Sequence, residues 1–195
     1  PASGNAVRNL NDIAADFKLP SVWKANLAFD TELPWYGIVA SAEVLVTDVK
    51  DDLFYRSLNV GPGFTGPDGR TLYWNPNLYV NTTARYNNNA TFGDVYLIQN
   101  TSKGESQQFT VSLQKPFKAD SDWSWNLGYT YTNAKEVGAL TSSTAGSGFG
   151  GQLGFNINEE QATTARYEIK DRFSGSLNWK HAFFGDYETQ VGLVY

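Results

Sequence analysis

The stretch Trp123-Ser-Trp-Asn-Leu-Gly-Tyr-Thr-Tyr-Thr-Asn133 alternates bulky apolar and small polar residues without a break. Trp123, Trp125, Leu127, Tyr129 and Tyr131 share one parity, and Ser124, Asn126, Gly128, Thr130 and Thr132 share the other. A period of two places these sets on opposite faces of a β-strand. The fold then turns on what each face meets. In a soluble sandwich the aromatic face enters a core. In a membrane barrel it meets lipid, and the polar face lines a watery lumen.

Five further stretches alternate in the same way, so six strands are expected, at about 22–33, 36–57, 105–117, 123–137, 166–183 and 187–195. They are longer than the usual globular strand of about 5–6 residues, and a tilted membrane strand needs roughly 9–11. The connections alternate too. Short turns lie near Leu33-Pro34-Trp35, in 117–122 and near Gly185, whereas 58–104 and 138–165 are long and rich in Gly, Asn, Ser and Thr. Short turns at one end and long polar loops at the other are the pattern of an antiparallel up-and-down transmembrane β-barrel, with the long loops extracellular. The segment 7–17, VRNLNDIAADF, reads as a short turn of helix.

Aromatic residues crowd the short-turn ends: Trp35, Tyr36, Phe117, Trp123, Trp125, Phe183 and Tyr187. Amphipathic rings favour the membrane–water boundary, so these are the expected interface girdle. On the opposite parity, Lys24, Glu43, Glu168, Lys170, Arg172 and Lys180 are the expected lumen-facing charges, solvating the lumen or pairing with neighbouring strands, a plug or a solute.

Composition supports two unlike faces. Charged residues are 18%, below the roughly 25% of soluble domains, while aromatics reach 15% and mean hydropathy is −0.40. A net charge of −5 offers no basic patch for nucleic acid. Without cysteine there is no disulfide, thiolate metal site or thiol nucleophile. The chain lacks a run long enough for a transmembrane helix, and both ends read as cut from a longer protein.

Candidate chemistry is sparse. His181 is the only histidine and reads as a boundary residue. Asp48, Asp51 and Asp52 lack EF-hand spacing and read as a solvated strand end. The run 61–70, GPGFTGPDGR, lacks the ending of a phosphate loop and reads as turns. Asn81, Asn89 and Asn100 head glycosylation-like triplets that arise readily in Asn/Thr-rich sequence. Glu159 and Glu160 form no constellation with a third group. The loop aromatics Phe64, Tyr73, Trp74, Tyr79 and Phe92 would either offer a ligand surface or pack the loop on itself. No enzyme, metal or cofactor is expected.

Residues 17–37, FKLPSVWKANLAFDTELPWYG, resemble the barrel of TonB-dependent outer-membrane receptors, closest to the Oar-like group. Residues 95–117, VYLIQNTSKGESQQFTVSLQKPF, with WSWNLGYTYTNAKEV after them, resemble the same group, as does DRFSGSLNWKHAFFGDYETQVGLVY at 171–195. The resemblance implies a bacterial outer-membrane location and a 22-stranded wall around a plug. Six strands would supply about a quarter of that wall. It also implies energised uptake of a ligand through the TonB complex, which would act on a part of the protein outside these residues. The implied partners are the lipid bilayer with its lipopolysaccharide, the rest of the barrel with its plug, and an unidentified transported ligand. The other readings are a soluble secreted β-sandwich that binds a polymer through its loops, and a small outer-membrane barrel acting as an adhesin.

Overall fold

The computed structural model describes residues 8–73, 88–89 and 91–195. They form an all-β protein: β1 Arg8–Ile13, β2 Ser21–Glu32, β3 Val39–Ser57, β4 Phe64–Thr65, β5 Thr71–Leu72, β6 Phe92–Thr101, β7 Glu105–Lys115, β8 Trp123–Glu136, the short helix α1 Ala145–Gly150, β9 Thr163–Thr164, β10 Asp171–Phe184 and β11 Tyr187–Val194. One nine-stranded mixed sheet has the order β1-β6-β3-β7-β8-β10-β11, with β2 also on β3 and β9 also on β8. The strands β4 and β5 make a separate small hairpin.

The chain divides into two compact units. The first holds 1–22, 49–104 and 135–167, and the second holds 23–48, 105–134 and 168–195.

The second unit is a meander in which each strand lies beside its neighbour in sequence, β2-β3-β7-β8-β10-β11. Val39–Asp48 pairs antiparallel with Glu105–Gln114 without slippage. β8 pairs antiparallel with β10 from Trp123↔Trp179 to Tyr131↔Asp171, and β10 with β11. Thr110 bonds Thr130 while Lys115 reaches the Trp123 carbonyl, so β7 and β8 also run oppositely. The six expected strands are therefore present, with shifted bounds: β3 starts at Val39 and β10 at Asp171, after turns at 33–38 and 165–170.

The turns follow from backbone chemistry. Tyr36 and Gly37 have φ of 57° and 59°, and Ile38 N–H reaches the Trp35 carbonyl. Two left-handed residues in succession match the twist of a two-residue hairpin. Gly185 takes φ 61° between β10 and β11.

The first unit joins residues of the N-terminal stretch and the end of β3 to the two stretches expected to be loops, whose described residues carry secondary structure of their own. β6 pairs antiparallel with the end of β3, from Asp52↔Thr101 through Ser57↔Tyr96. Residues 7–17, expected as helix, instead give β1 parallel to β6. Its backbone occupies an otherwise free strand edge, and the Asn9 side chain accepts from Asp94 N–H at 3.0 Å. Leu10 and Ile13 stay exposed, so an apolar face did not choose helix or strand here; sheet pairing did. Tyr55, Tyr96, Ala145 and Phe149 form a small core, with Leu53, Ile98 and Ile157 against it. The Tyr96 and Phe149 rings lie 5.2 Å apart.

Candidate functional site

The candidate site is the pair of faces of the second unit. Cross-strand register carries the parity of the sequence into continuous rows. On one face Ala42, Val111, Tyr129 and Phe173 succeed one another across β3, β7, β8 and β10, and Ala40, Leu113, Leu127 and Gly175 form the next row. Gly175 faces Tyr195 through two backbone hydrogen bonds of 3.1 and 2.9 Å. Among the described residues nothing covers this face. Leu27 is 75% exposed, Phe173 67% and Leu193 69%. Six strands at about 4.8 Å spacing span roughly 24 Å, so the exposed apolar area exceeds the few hundred Å² that soluble monomers usually show.

Near the short turns this face turns aromatic. Trp123 and Trp179 lie 6.3 Å apart, Trp179 stacks on His181 at 5.9 Å, and Phe183 stands edge-on to both. His181 Nδ1 sits 2.7 Å from the Asp122 carboxylate, which fixes the ring beside the turn. Trp125 faces Leu177 and Tyr187 faces Phe184. Trp35 and Tyr36 occupy the β2–β3 turn, exposed, and Phe117 follows β7 with the Lys180 amine 4.8 Å above its ring. These residues lie in or beside the three short turns, and the Phe117 ring, under Lys180, lies on the side of the opposite face.

The opposite face carries Lys24, Glu43, Arg172 and Lys180. Glu43 accepts from the Asn26 amide across the β2–β3 hairpin, Glu43 faces Thr110, Thr110 bonds Thr130 at 3.2 Å, and Thr130 faces Arg172. This polar row crosses five strands. Lys180 pairs with Glu188 at 3.4 Å. Glu168 and Lys170 precede β10: Glu168 accepts the Ala134 N–H, and the Lys170 amine lies 5.9 Å from the Tyr131 ring centre. Between the first two short turns is a polar cleft of about 760 Å³, with Glu32, Tyr36, Lys115, Lys118 and Asp120 on its walls and Lys118 3.9 Å from Glu32.

In the first unit, polar side chains do structural work that their loop-like composition conceals. The outer edge of β3 beyond Asp52 is satisfied by amides: Gln152 accepts from Tyr55 N–H, while Asn158 both accepts from and donates to the Ser57 backbone, all at 2.8–3.0 Å. Asn59, 7% exposed, donates to the carbonyls of Asn89, Phe92 and Gly93 and accepts from Asn89 N–H. The Asn100 amide closes both ways on the Lys18 backbone. Of the three glycosylation-like asparagines, Asn100 is therefore held by its side chain, Asn89 is held by its backbone with its side chain exposed, and Asn81 lies outside the described residues.

Of the acidic candidates, Glu160 meets Gln99 and Thr101, Glu159 meets Asn156, Asp51 accepts from Ser21, and Asp52 accepts from Leu53 N–H. Among the described residues no three acidic or histidine side chains gather as a metal-binding group. The run 61–70 closes the β4–β5 hairpin through Gly66 N–H to the Arg70 carbonyl and Gly69 at φ 84°. Asp68 accepts from the Arg70 backbone and guanidinium, which hold its carboxyl below the usual range. Phe64 lies opposite Leu72, the Tyr73 ring lies beside Gly63, and Phe92 opens β6. Trp74 and Tyr79 lie outside the described residues.

No family model, curated protein or solved structure matches this chain.

Proposed function

We propose that this chain is part of the wall of an outer-membrane β-barrel, of the TonB-dependent receptor type that its sequence resembles. The observation that carries the reading is the uncovered apolar face of the six-strand meander, bordered by aromatic rings at the short turns. In water each large apolar side chain left exposed forgoes about 1.5–3 kcal/mol of burial; in lipid it does not. Ten consecutive β3–β7 pairs in the second unit match the roughly 9–11 residues of a tilted membrane strand. The antiparallel ladder satisfies backbone groups inside the sheet, as hydrocarbon requires.

Tyr36 adds a local argument. A left-handed φ favours Gly or Asn, and a bulky aromatic there costs about 1–2 kcal/mol. An interfacial anchor would repay that cost. In this reading the apolar face solvates in lipid, and the row from Asn26 to Arg172 lines the lumen, where a plug or solute pairs with it. The first unit gathers or excludes solutes outside the cell. The remaining wall, the plug and the TonB complex would supply uptake of the transported ligand.

The test is the behaviour and intact mass of the protein extracted from native outer membranes. Detergent-dependent solubility and a mass several times 21.6 kDa support the receptor wall. A monodisperse 21.6 kDa protein, soluble without detergent, overturns it and favours a soluble binding module.

A further inference from the structure

β1 lies along β6 without joining the core behind it. All six of its residues are exposed. Register sets Asn11 beside Tyr96 and Ile13 beside Ile98. Tyr96 is a core residue and Ile98 packs against that core. Even so, Ile13 is 58% exposed, and Leu10 on the other parity 44%. Apolar packing therefore ends at β6.

Polar bonds attach β1 instead. The register slips between Arg8↔Phe92 and Leu10↔Val95, and there the Asn9 side chain accepts the Asp94 N–H at 3.0 Å. Ala14 N–H closes the ladder on the Ile98 carbonyl at 2.8 Å. The chain then turns, with Phe17 N–H on the Ala14 carbonyl. Beyond the turn the Asn100 amide holds the Lys18 backbone in both directions, at 2.6 and 2.8 Å. β1 thus has a fixed root at Lys18 and an exposed run leading away from it. β6 has anchors of its own: Tyr96–Thr101 pairs with Asp52–Ser57 of β3, and the Tyr96 ring meets Phe149. A segment with exposed backbone bonds and little buried apolar surface opens ahead of the structure it borders.

We infer that β1 is a detachable strap, rooted at Lys18, over an edge of β6 that accepts an extended strand. When the strap peels away, the β6 backbone groups that faced it lose their partners, and an added peptide strand restores them through its main chain. β1 itself defines the chemistry of the occupant: an extended polypeptide, parallel to β6, whose side chains need no pocket. All of these residues belong to the first unit, so the strap is independent of the membrane reading of the second.

Hydrogen exchange of the full chain in detergent micelles tests the strap. The β1 amides should exchange about tenfold or more faster than the amides shared by β6 and β3. A labelled peptide of residues 8–18, RNLNDIAADFK, tests the edge when added to the same chain. It should bind saturably. The peptide carrying both Asn11→Pro and Asp12→Pro lacks two successive N–H groups and should bind several-fold less. The chain has no cysteine, so Asp12→Cys with Leu97→Cys, a facing pair, can form one disulfide only. Neighbouring strands about 4.8 Å apart lie within its reach. Oxidation should slow the β1 amides to the rate of the β6–β3 amides and abolish peptide binding, and reduction should restore both. Exchange of β1 together with the β6–β3 amides in the wild type overturns the strap, a measurement that stands even where the double variant does not fold. Failure of the wild type to bind the peptide, or equal binding by the oxidised and reduced forms, overturns the strand-accepting edge.

Discussion

Single side chains decide more in the first unit than composition suggests. Asn59 is nearly buried and uses both amide atoms on four backbone groups around residues 89–93. Asn59→Ala strands these groups and should destabilise the segment leading into β6 by about 2 kcal/mol. Hydrogen exchange at the β6 amides measures this; unchanged protection would show that the clamp is replaceable by water. Asp68 gives a pH-dependent case. Its carboxyl is held low by the Arg70 backbone N–H first and the Arg70 side chain second. The support it lends the hairpin tip is therefore complete above the ordinary value near 3.8 and is lost as pH falls through the lower folded value. The Arg70 amide shift should titrate below pH 3.8, and a midpoint at or above that value would refute the contact. Neither residue announces its role in sequence, because an Asn or Asp in a polar stretch reads the same whether its partner is water or a distant backbone.

Among the elements, the long strands of the second unit were legible and the pieces of the first unit were not. Alternation persists from Trp123 to Thr132 because one face is apolar throughout. β6 lies half-buried on both sides, and that removes the contrast that alternation needs. β1 went unread for a related reason: its pairing to β6 is parallel and rests on backbone bonds. The β2–β3 hairpin carries its own test. Tyr36→Asn keeps the left-handed conformation at lower steric cost and should stabilise the isolated fold by about 1 kcal/mol. If the ring anchors the turn at a membrane surface, the same variant should bind lipid vesicles less well, read as tryptophan emission on vesicle titration. Loss of stability in detergent would show instead that the ring packs within the protein.

At the scale of the whole molecule, β2 and β11 form the borders of the second unit's meander among the described residues. The Gly175–Tyr195 pair is hydrogen-bonded, so alternation along an antiparallel ladder turns the backbone of Gln190, Gly192 and Val194 outward. An edge of this kind recruits further strands. Gln190→Pro removes an outward N–H and spares the ladder to β10, so it should reduce self-association of the chain in detergent several-fold. Analytical ultracentrifugation measures it, and an unchanged distribution would place self-association elsewhere. By itself the sequence determined the strand parity, the short turns with their aromatic neighbours and the shared polar parity of Lys24, Glu43, Arg172 and Lys180, because each follows from a period of two along one segment. Only the tertiary structure decided that Tyr96, Ala145 and Phe149, from the two long stretches, join Tyr55 in a core, that β6 pairs with the end of β3, and that amides from 152–158 finish the edge of β3. Those outcomes depend on contacts between residues as far apart as Tyr55 and Gln152, whose pairing leaves no local pattern in the chain.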